Sequence, residues 1–167
     1  RYNDPRRFGC LIWTKSEPLK HKLIIKLGEE PFSNNFTGTY LYERRQKHKT
    51  SIKNFIMNNK VVVGVGNIYA NEALFLAGIN PKTKACNISL VRFNKLVLCI
   101  RNVLNQAIEA GGTTLQDYFS PLGEPGYFKT KLYVYGREHE QCRNCETTIK
   151  KVIIGQRSSF YCYHCQT

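Results

Sequence analysis

The chain is poor in acidic residues, has one Met and one Trp, and contains no long apolar run. Its 12 Asp and Glu residues stand against 25 Lys and Arg residues, which gives a net charge of +13. No segment approaches the length of a membrane span, and none has the pattern of a secretory signal peptide. The sequence also lacks a Ser–His–Asp order, a two-histidine metal motif and a carboxylate pair at a telling spacing. It therefore shows no catalytic set of its own.

The excess of positive charge predicts a polyanionic partner. Surplus charge of one sign destabilises a compact chain unless something offsets it. Basic residues are concentrated before residue 60 and after residue 129, so we expect contacts from both ends of the chain. A merely soluble basic protein is the alternative that composition leaves open. A hydrophobic content of 42% suffices for one core plus a small module.

The strongest motif is C-terminal and consists of two Cys-x-x-Cys pairs, Cys142 with Cys145 and Cys162 with Cys165. This spacing predicts a tetrahedral zinc site of the structural kind, because four thiolates leave no open position for water. Four idle cysteines are the alternative. The intervening residues read as strand, tight turn and strand, with Arg157 at the tip. The nearby histidines, His139 and His164, are expected to be surface residues or phosphate contacts, not ligands.

Apolar periodicity upstream of this motif predicts helices over 37–47, 50–59 and 68–77. The longest helix is expected to run from an N-cap at Ser89 to the glycines at 111 and 112. Residues 8–28 read as two short strands that would need a larger sheet. Because the chain opens at Arg1 without an initiator Met, we expect a fragment or a processed piece of a longer protein.

Two smaller groups carry signals that are weak alone. Glycines at 64 and 66 precede Asn67 at a helix start, where backbone N–H groups and the amide side chain suit a phosphate. An ordinary interhelix turn explains the same residues equally well. Arg6, Arg7 and Phe8 combine phosphate-binding or base-contacting groups with an aromatic wedge. The alternative is a strand end with solvated charges and a core phenylalanine.

Taken together, these motifs resemble bacterial formamidopyrimidine-DNA glycosylase. Residues 59–75 resemble its helix–two-turn–helix, 111–128 its lesion-capping loop, and 142–165 its zinc finger, while 4–9 resemble the end of its N-terminal β-sandwich. The resemblance implies a mainly α fold with a small β zinc module, preceded by two strands left over from the β-sandwich. The implied domains are the end of the catalytic domain at 1–30, the DNA-binding domain at 31–128, and the zinc finger at 132–167.

The resemblance also implies a function in base-excision repair. The family removes oxidised purines such as 8-oxoguanine and formamidopyrimidines and cleaves the abasic site by β,δ-elimination. The implied cofactor is one structural zinc ion. The implied partner is damaged double-stranded DNA, with no membrane, and the implied protein is a monomer of the bacterial cytoplasm. The family's nucleophile is an N-terminal proline followed by glutamate, and Arg1 does not match it. We therefore expect this chain to bind DNA without excising bases.

Two alternatives stay open at this point, a stand-alone non-catalytic DNA-binding zinc protein and an endonuclease VIII-type glycosylase. A reading frame upstream of Arg1 that begins Met-Pro-Glu would favour the glycosylase with its own catalytic domain. A stop codon there would favour the binding module.

The family's site residues carry over position by position. Arg157 matches the fingertip arginine, which binds the lesion phosphate and donates a proton in δ-elimination, and Asn67 matches the residue that shares this phosphate. The void left by the flipped base would be filled by three residues, and further lysines would contact the DNA backbone. The void-filling residues are Arg6, Arg7 and Phe8; the backbone lysine is Lys49, with Lys53 and Lys60 as weaker candidates; Gln116, in the 111–128 loop, has no assigned role.

Overall fold

The computed structural model describes residues 9–45, 49–111 and 132–167. These described ranges contain four α-helices, which are α1 (Gly38–Arg44), α2 (Ile52–Ile56), α3 (Asn67–Ala77) and α4 (Leu90–Glu109). Short 3-10 turns occupy Pro18–Lys20 and Ala85–Asn87. Near the C-terminus, β1 (Lys150–Ile154) and β2 (Arg157–Tyr161) form a two-stranded antiparallel sheet. The expected mainly α fold with a small β module is confirmed.

Three of the helices have a serine or threonine at the N-cap position. Thr37 accepts a hydrogen bond from the Tyr40 N–H at the start of α1, and Ser51 caps α2 in the same way. Ser89 caps α4, as predicted. Each cap satisfies a backbone donor that has no partner inside the helix. Gly78 ends α3 at φ 73°, a left-handed conformation that costs little for a residue without a Cβ.

The helices enclose the main apolar core. The long helix α4 packs against both α1 and α3, and its row of buried apolar side chains is part of this core. The stripe has helical spacing, which explains why this element was foreseeable from the sequence. The largest fully buried apolar side chains are Phe36, Leu41, Ile52, Phe55, Ile56, Leu74, Ile79, Ile88, Phe93, Leu96 and Ile100.

A second, smaller cluster lies between α3 and the hairpin. Phe75 of α3 stacks on Tyr133, with ring centroids 5.5 Å apart, and Tyr135 meets Phe160 edge to face at 5.1 Å. These contacts attach the C-terminal hairpin to the helices through aromatic side chains. The buried members of this cluster are Phe75, Val134, Cys142, Ile149, Phe160 and Cys162.

The two strands expected within residues 8–28 are wrong for the described part of that segment. Residues 9–28 form irregular backbone, turns and one short 3-10 turn, and the next residue, Glu29, makes an isolated bridge with Val62. Leu11 and Trp13 are each 89% exposed. A strand is stable only where a neighbouring strand satisfies its edge, and the described residues offer no sheet besides the C-terminal hairpin. Across the described ranges, no helix is both long enough and apolar enough to traverse a bilayer.

Candidate nucleic-acid interface and metal centre

The four predicted cysteines converge at the open end of the hairpin. Their sulfur atoms all lie within 4.8 Å of one another, with Cys145 Sγ 3.4 Å from Cys162 Sγ and 3.3 Å from Cys165 Sγ. Four thiolates around a zinc ion with Zn–S bonds of about 2.3 Å stand about 3.8 Å apart, so the group fits a tetrahedral ion. Asn144 and Cys165 each direct a backbone N–H at a cysteine sulfur at 3.5 Å, which suits thiolates.

The nearby histidines take no part in this group. His139 is exposed and His164 is exposed, and the metal-ligating cluster found among the described residues contains cysteines alone. A filled set of four thiolates leaves no coordination position for an imidazole.

The tip of the hairpin is a two-residue turn at Gly155 and Gln156. Both have positive φ, 56° and 60°, as the turn that suits the strand twist requires. Ile154 pairs with Arg157 directly across this turn. Arg157 is therefore the first residue of β2, one position beyond the turn into which the sequence placed it. Its side chain is exposed at the tip, as expected.

Lys53 of α2 is fully buried and links this helix to the tip of the hairpin. Its Nζ donates to the Ser158 carbonyl oxygen at 3.0 Å and pairs with Ser159 Oγ at 2.6 Å. Burial, with the neighbouring Arg157 guanidinium as the second cause, lowers the pKa of Lys53 to about 8. The prediction that Lys53 contacts the DNA backbone is therefore wrong. A lysine with no exposed surface holds the hairpin instead of reaching a partner.

Asn67 lies on the other side of the same carbonyl. It is the first residue of α3, and its Nδ2 donates to the Ser158 oxygen at 3.1 Å. Its Oδ1 is buried without a hydrogen-bond partner in the described part of the chain. The amide thus joins the N-terminal end of α3 to the residue next to Arg157. The two residues that the sequence analysis paired as phosphate contacts lie on either side of one backbone carbonyl.

Two further polar residues of α3, which the sequence analysis missed, fix the zinc module. Asn71 Oδ1 accepts from the Phe160 N–H at 2.7 Å. Glu72, only 2% exposed, accepts from three consecutive N–H groups of residues 133–135 at 2.7 to 3.0 Å. Burial raises the pKa of Glu72, while the three N–H groups oppose that rise. Two features of the sequence could have revealed these residues. Asn71 follows Asn67 by one helical turn, so both lie on the same face of α3, and Glu72 is a charged residue among apolar neighbours.

The remaining candidates are not brought to this site by any described contact. Lys49 is exposed, two residues before the cap of α2, and Lys60 is exposed after that helix. The void-filling candidates and the predicted lesion loop lie outside the described residues, apart from Gly111 at the loop's first position. Those outside are Arg6, Arg7, Phe8, Gln116 and the rest of 112–128.

Lys53 gives a pH-dependent prediction. In the unfolded chain its pKa returns to 10.5, so between pH 8 and 10.5 the unfolded state binds more protons than the folded state. Stability contributed by this group therefore rises with pH across that window, by at most about 1.4 kcal/mol per pH unit. Urea unfolding of the wild type and of Lys53→Met at pH 7.5 and pH 10 measures the difference. Titrations shared by both proteins cancel, and parallel pH dependences would contradict the prediction.

Comparison with protein families matches two segments. Residues 27–118 match the formamidopyrimidine-DNA glycosylase H2TH domain, and residues 140–167 match a zinc finger found in the same glycosylases and in IleRS. The fold and the site thus define a helix–two-turn–helix protein with a four-cysteine zinc finger. The chain belongs to the formamidopyrimidine-DNA glycosylase family.

Individual curated members of this family are similar in sequence to the chain. The chain is 51% identical to the formamidopyrimidine-DNA glycosylase of Hydrogenovibrio crunogenus over 99% of its own length and 59% of that protein. For the Idiomarina loihiensis enzyme the identity is 54%, over 99% of this chain and 62% of the relative. The chain therefore spans about three fifths of the length of these curated relatives.

Solved structures of proteins from this family are similar to the chain in fold. The MutM (Fpg) protein of Thermus thermophilus superposes with a TM-score of 0.88 at 35% identity, covering 98% of this chain and 62% of that one. The Lactococcus lactis Fpg in complex with abasic-site DNA superposes with a TM-score of 0.79 at 32% identity, covering 87% of this chain and 53% of that one. A further Lactococcus lactis complex contains DNA with a Fapy-dG lesion.

Proposed function

We propose that this chain supplies the DNA-binding part of a glycosylase and AP lyase that removes oxidised purines and cleaves the abasic site by β,δ-elimination. The observation that carries the proposal is the hydrogen bond from Asn67, at the N-terminal end of α3, to the carbonyl of Ser158, the residue that directly follows exposed Arg157. A guanidinium next to a helix start suits a phosphate, because both favour an anion. Lactococcus lactis relatives bound to abasic-site and Fapy-dG DNA support this assignment.

Within the proposal, the named residues act as the family resemblance implies. Arg157 binds the phosphate beside the flipped base and donates a proton in δ-elimination, while Asn67 shares that phosphate. Lys49 contacts the DNA backbone, and Arg6, Arg7 and Phe8 fill the space that the flipped base leaves. One structural zinc ion held by the four cysteines keeps the hairpin rigid, so Arg157 is carried on a fixed arm.

The proposed organisation follows the same assignment. Residues 1–30 end the catalytic domain, 31–128 form the DNA-binding domain with its lesion loop at 111–128, and 132–167 form the zinc finger. The protein acts as a monomer on damaged double-stranded DNA in the bacterial cytoplasm. Because no residue among 1–167 matches the proline nucleophile that the family resemblance implies, we infer that these residues serve in DNA binding rather than in cleavage of the glycosidic bond.

Binding and trapping experiments on the 167-residue chain test the proposal. We expect it to bind a duplex that contains a tetrahydrofuran abasic-site analogue, with an affinity that falls steeply as salt rises. We expect no efficient trapping of a covalent adduct when the chain is treated with borohydride and duplex containing a natural abasic site, since no residue of this chain matches the family's proline nucleophile. Fluorescence anisotropy measures the first result and denaturing gel electrophoresis the second.

The controls separate the two halves of the proposal. The undamaged duplex of the same sequence reports binding that does not depend on the lesion. Failure to bind either duplex at low salt would contradict the DNA-binding assignment, and an efficiently trapped adduct would contradict the inference that residues 1–167 supply binding alone.

A further inference from the structure

Gln166, which directly follows the last cysteine of the metal cluster, is a buried polar residue that links two parts of the chain. Its side chain is only 1% exposed. The amide Oε1 accepts the N–H of Cys162 at 2.9 Å, and the amide Nε2 donates to the Ile79 carbonyl oxygen at 2.8 Å. Ile79 lies just after the C-cap of α3. One side chain is therefore bonded both to a metal-ligating cysteine and to the helices.

Gln166 also pairs with the other backbone group of the same cysteine. Its own N–H donates to the Cys162 carbonyl oxygen at 3.0 Å. Both backbone polar groups of Cys162, which has no exposed surface, are thus satisfied by this one residue. A buried N–H or carbonyl without a partner is costly, so these bonds fix the orientation of the cysteine. Groups that orient a ligand in this way affect how tightly a metal is held.

The first Cys-x-x-Cys pair is held differently. The N–H of Cys142 donates to the Thr147 carbonyl oxygen at 2.9 Å, and its carbonyl accepts the Glu146 N–H at 2.9 Å, so both partners belong to the zinc module. Glu146 is the counterpart of Gln166, since each directly follows the second cysteine of its pair, but Glu146 is exposed. The hydrogen-bonded link from a metal ligand to the helices thus belongs to the second pair.

The last residue of the sequence extends this contact. The N–H of Thr167 donates to the Gly78 carbonyl oxygen at 3.2 Å. Arg92, in the first turn of α4, donates to the carbonyl oxygens of both Gly78 and Thr167. The guanidinium therefore holds the end of the zinc module against the turn that follows α3.

The contacts that Lys53, Asn71 and Glu72 make with the zinc module involve no metal ligand. Lys53 and Asn71 bond to groups of residues 158–160, and Glu72 bonds to residues 133–135. Those contacts place the hairpin, whereas Gln166 acts on the cysteine cluster itself. Because a structural metal binds only the folded module, a bond that the folded module makes to the helices adds to the metal affinity.

We propose that Gln166 is a positioning residue for the metal centre. It orients Cys162 and couples that cysteine to the helices, so that the helical part of the chain raises the affinity of the four cysteines for zinc. This coupling does not depend on any contact with DNA, and it stands or falls separately from the proposed function.

Zinc affinity, measured by competition with a chromophoric chelator, tests the role of the side chain. Gln166→Met keeps the length of the side chain but leaves the buried Cys162 N–H and Ile79 carbonyl without their partner. We expect the zinc affinity to fall about tenfold or more. Gln141→Met makes the same change at an exposed residue directly before the first cysteine and should alter the affinity by less than about twofold. Wild-type zinc affinity in Gln166→Met would overturn the proposal.

Arg92→Met tests whether the helices contribute. This substitution removes the two bonds from α4 to Gly78 and Thr167 and leaves every residue of the zinc module unchanged. We expect the zinc affinity to fall about threefold or more. The variant with both substitutions should lose less than the product of the two separate losses, because both changes break one contact. Circular dichroism verifies that the helices are folded in each variant. Wild-type zinc affinity in Arg92→Met, or full additivity, would overturn the coupling.

Cadmium NMR separates the orientation of Cys162 from a general loss of stability. At saturating cadmium every variant is folded around the ion, and the cadmium chemical shift then reports the geometry of the four sulfur ligands. We expect this shift to differ from the wild type in Gln166→Met and to be unchanged in Gln141→Met. A wild-type shift in Gln166→Met would mean that Cys162 keeps its orientation without the amide, and the positioning role would be overturned even if the zinc affinity had fallen.

Discussion

Removal of the metal by a chelator is expected to unfold residues 132–167 while the four helices stay folded. The buried cluster of the zinc module is small, and two of its six members are the cysteines Cys142 and Cys162 themselves. Structural zinc contributes about 10–16 kcal/mol to the folding of small modules. The helical core is much larger and has its own buried stripe on α4, so it does not depend on the metal.

The loss should be visible by two measurements on the same titration. Circular dichroism at 222 nm should fall only slightly, because the helices dominate that signal. Amide NMR resonances of the hairpin should collapse to unfolded positions. Cys145→Ser should behave as the chelated protein, whereas Cys86→Ser, outside the cysteine cluster, should keep its metal and its hairpin. Loss of helicity throughout the chain would show that the two parts fold as one unit.

Replacement of Arg157 by alanine is expected to weaken binding to abasic-site DNA about tenfold or more. An exposed guanidinium that meets one phosphate contributes both direct hydrogen bonds and the release of a counterion. The slope of log K against log salt should therefore become shallower by about 0.9. Fluorescence anisotropy at four or five salt concentrations measures the affinity and the slope together.

Two variants make the interpretation specific. Arg157→Lys keeps the charge and should retain the slope, but it should lose affinity because an ammonium group cannot bind a phosphate through a two-pronged fork. Arg143→Ala removes an exposed arginine from the metal end of the same module and should change binding much less. An unchanged slope in Arg157→Ala would mean that the fingertip does not meet a phosphate.

The sequence alone could not show that Lys53 is buried while Arg157 is exposed. Both are basic residues in segments that the sequence marks as DNA-binding, and charge alone assigns both to the surface. The structure keeps Arg157 exposed and buries Lys53 beneath it, because the Ser158 carbonyl and Ser159 hydroxyl accept the lysine's hydrogen bonds. Those acceptors are more than 100 positions away along the chain, so no local pattern could reveal them.

In residues 9–28 the error is the opposite one, because the local sequence pattern predicted two strands that the structure does not contain. Two short apolar, β-branched runs favour strands there, but a strand also needs a neighbour for its edge. Propensity belongs to the segment, whereas pairing belongs to the tertiary structure. The described residues supply no such partner, and side chains such as Leu11 and Trp13 stay exposed.

The sequence by itself determined the elements whose cause is local. Cysteine spacing predicted the four-thiolate cluster, helical periodicity and Ser89 predicted α4, and a glycine next to Gln156 predicted the turn that carries Arg157. Tertiary structure alone decided how the zinc module sits on the helices. That placement depends on Lys53, Asn67, Asn71 and Glu72 meeting backbone groups far along the chain. A polar side chain does not record in sequence which distant carbonyl or N–H group will satisfy it, and burial makes that pairing obligatory.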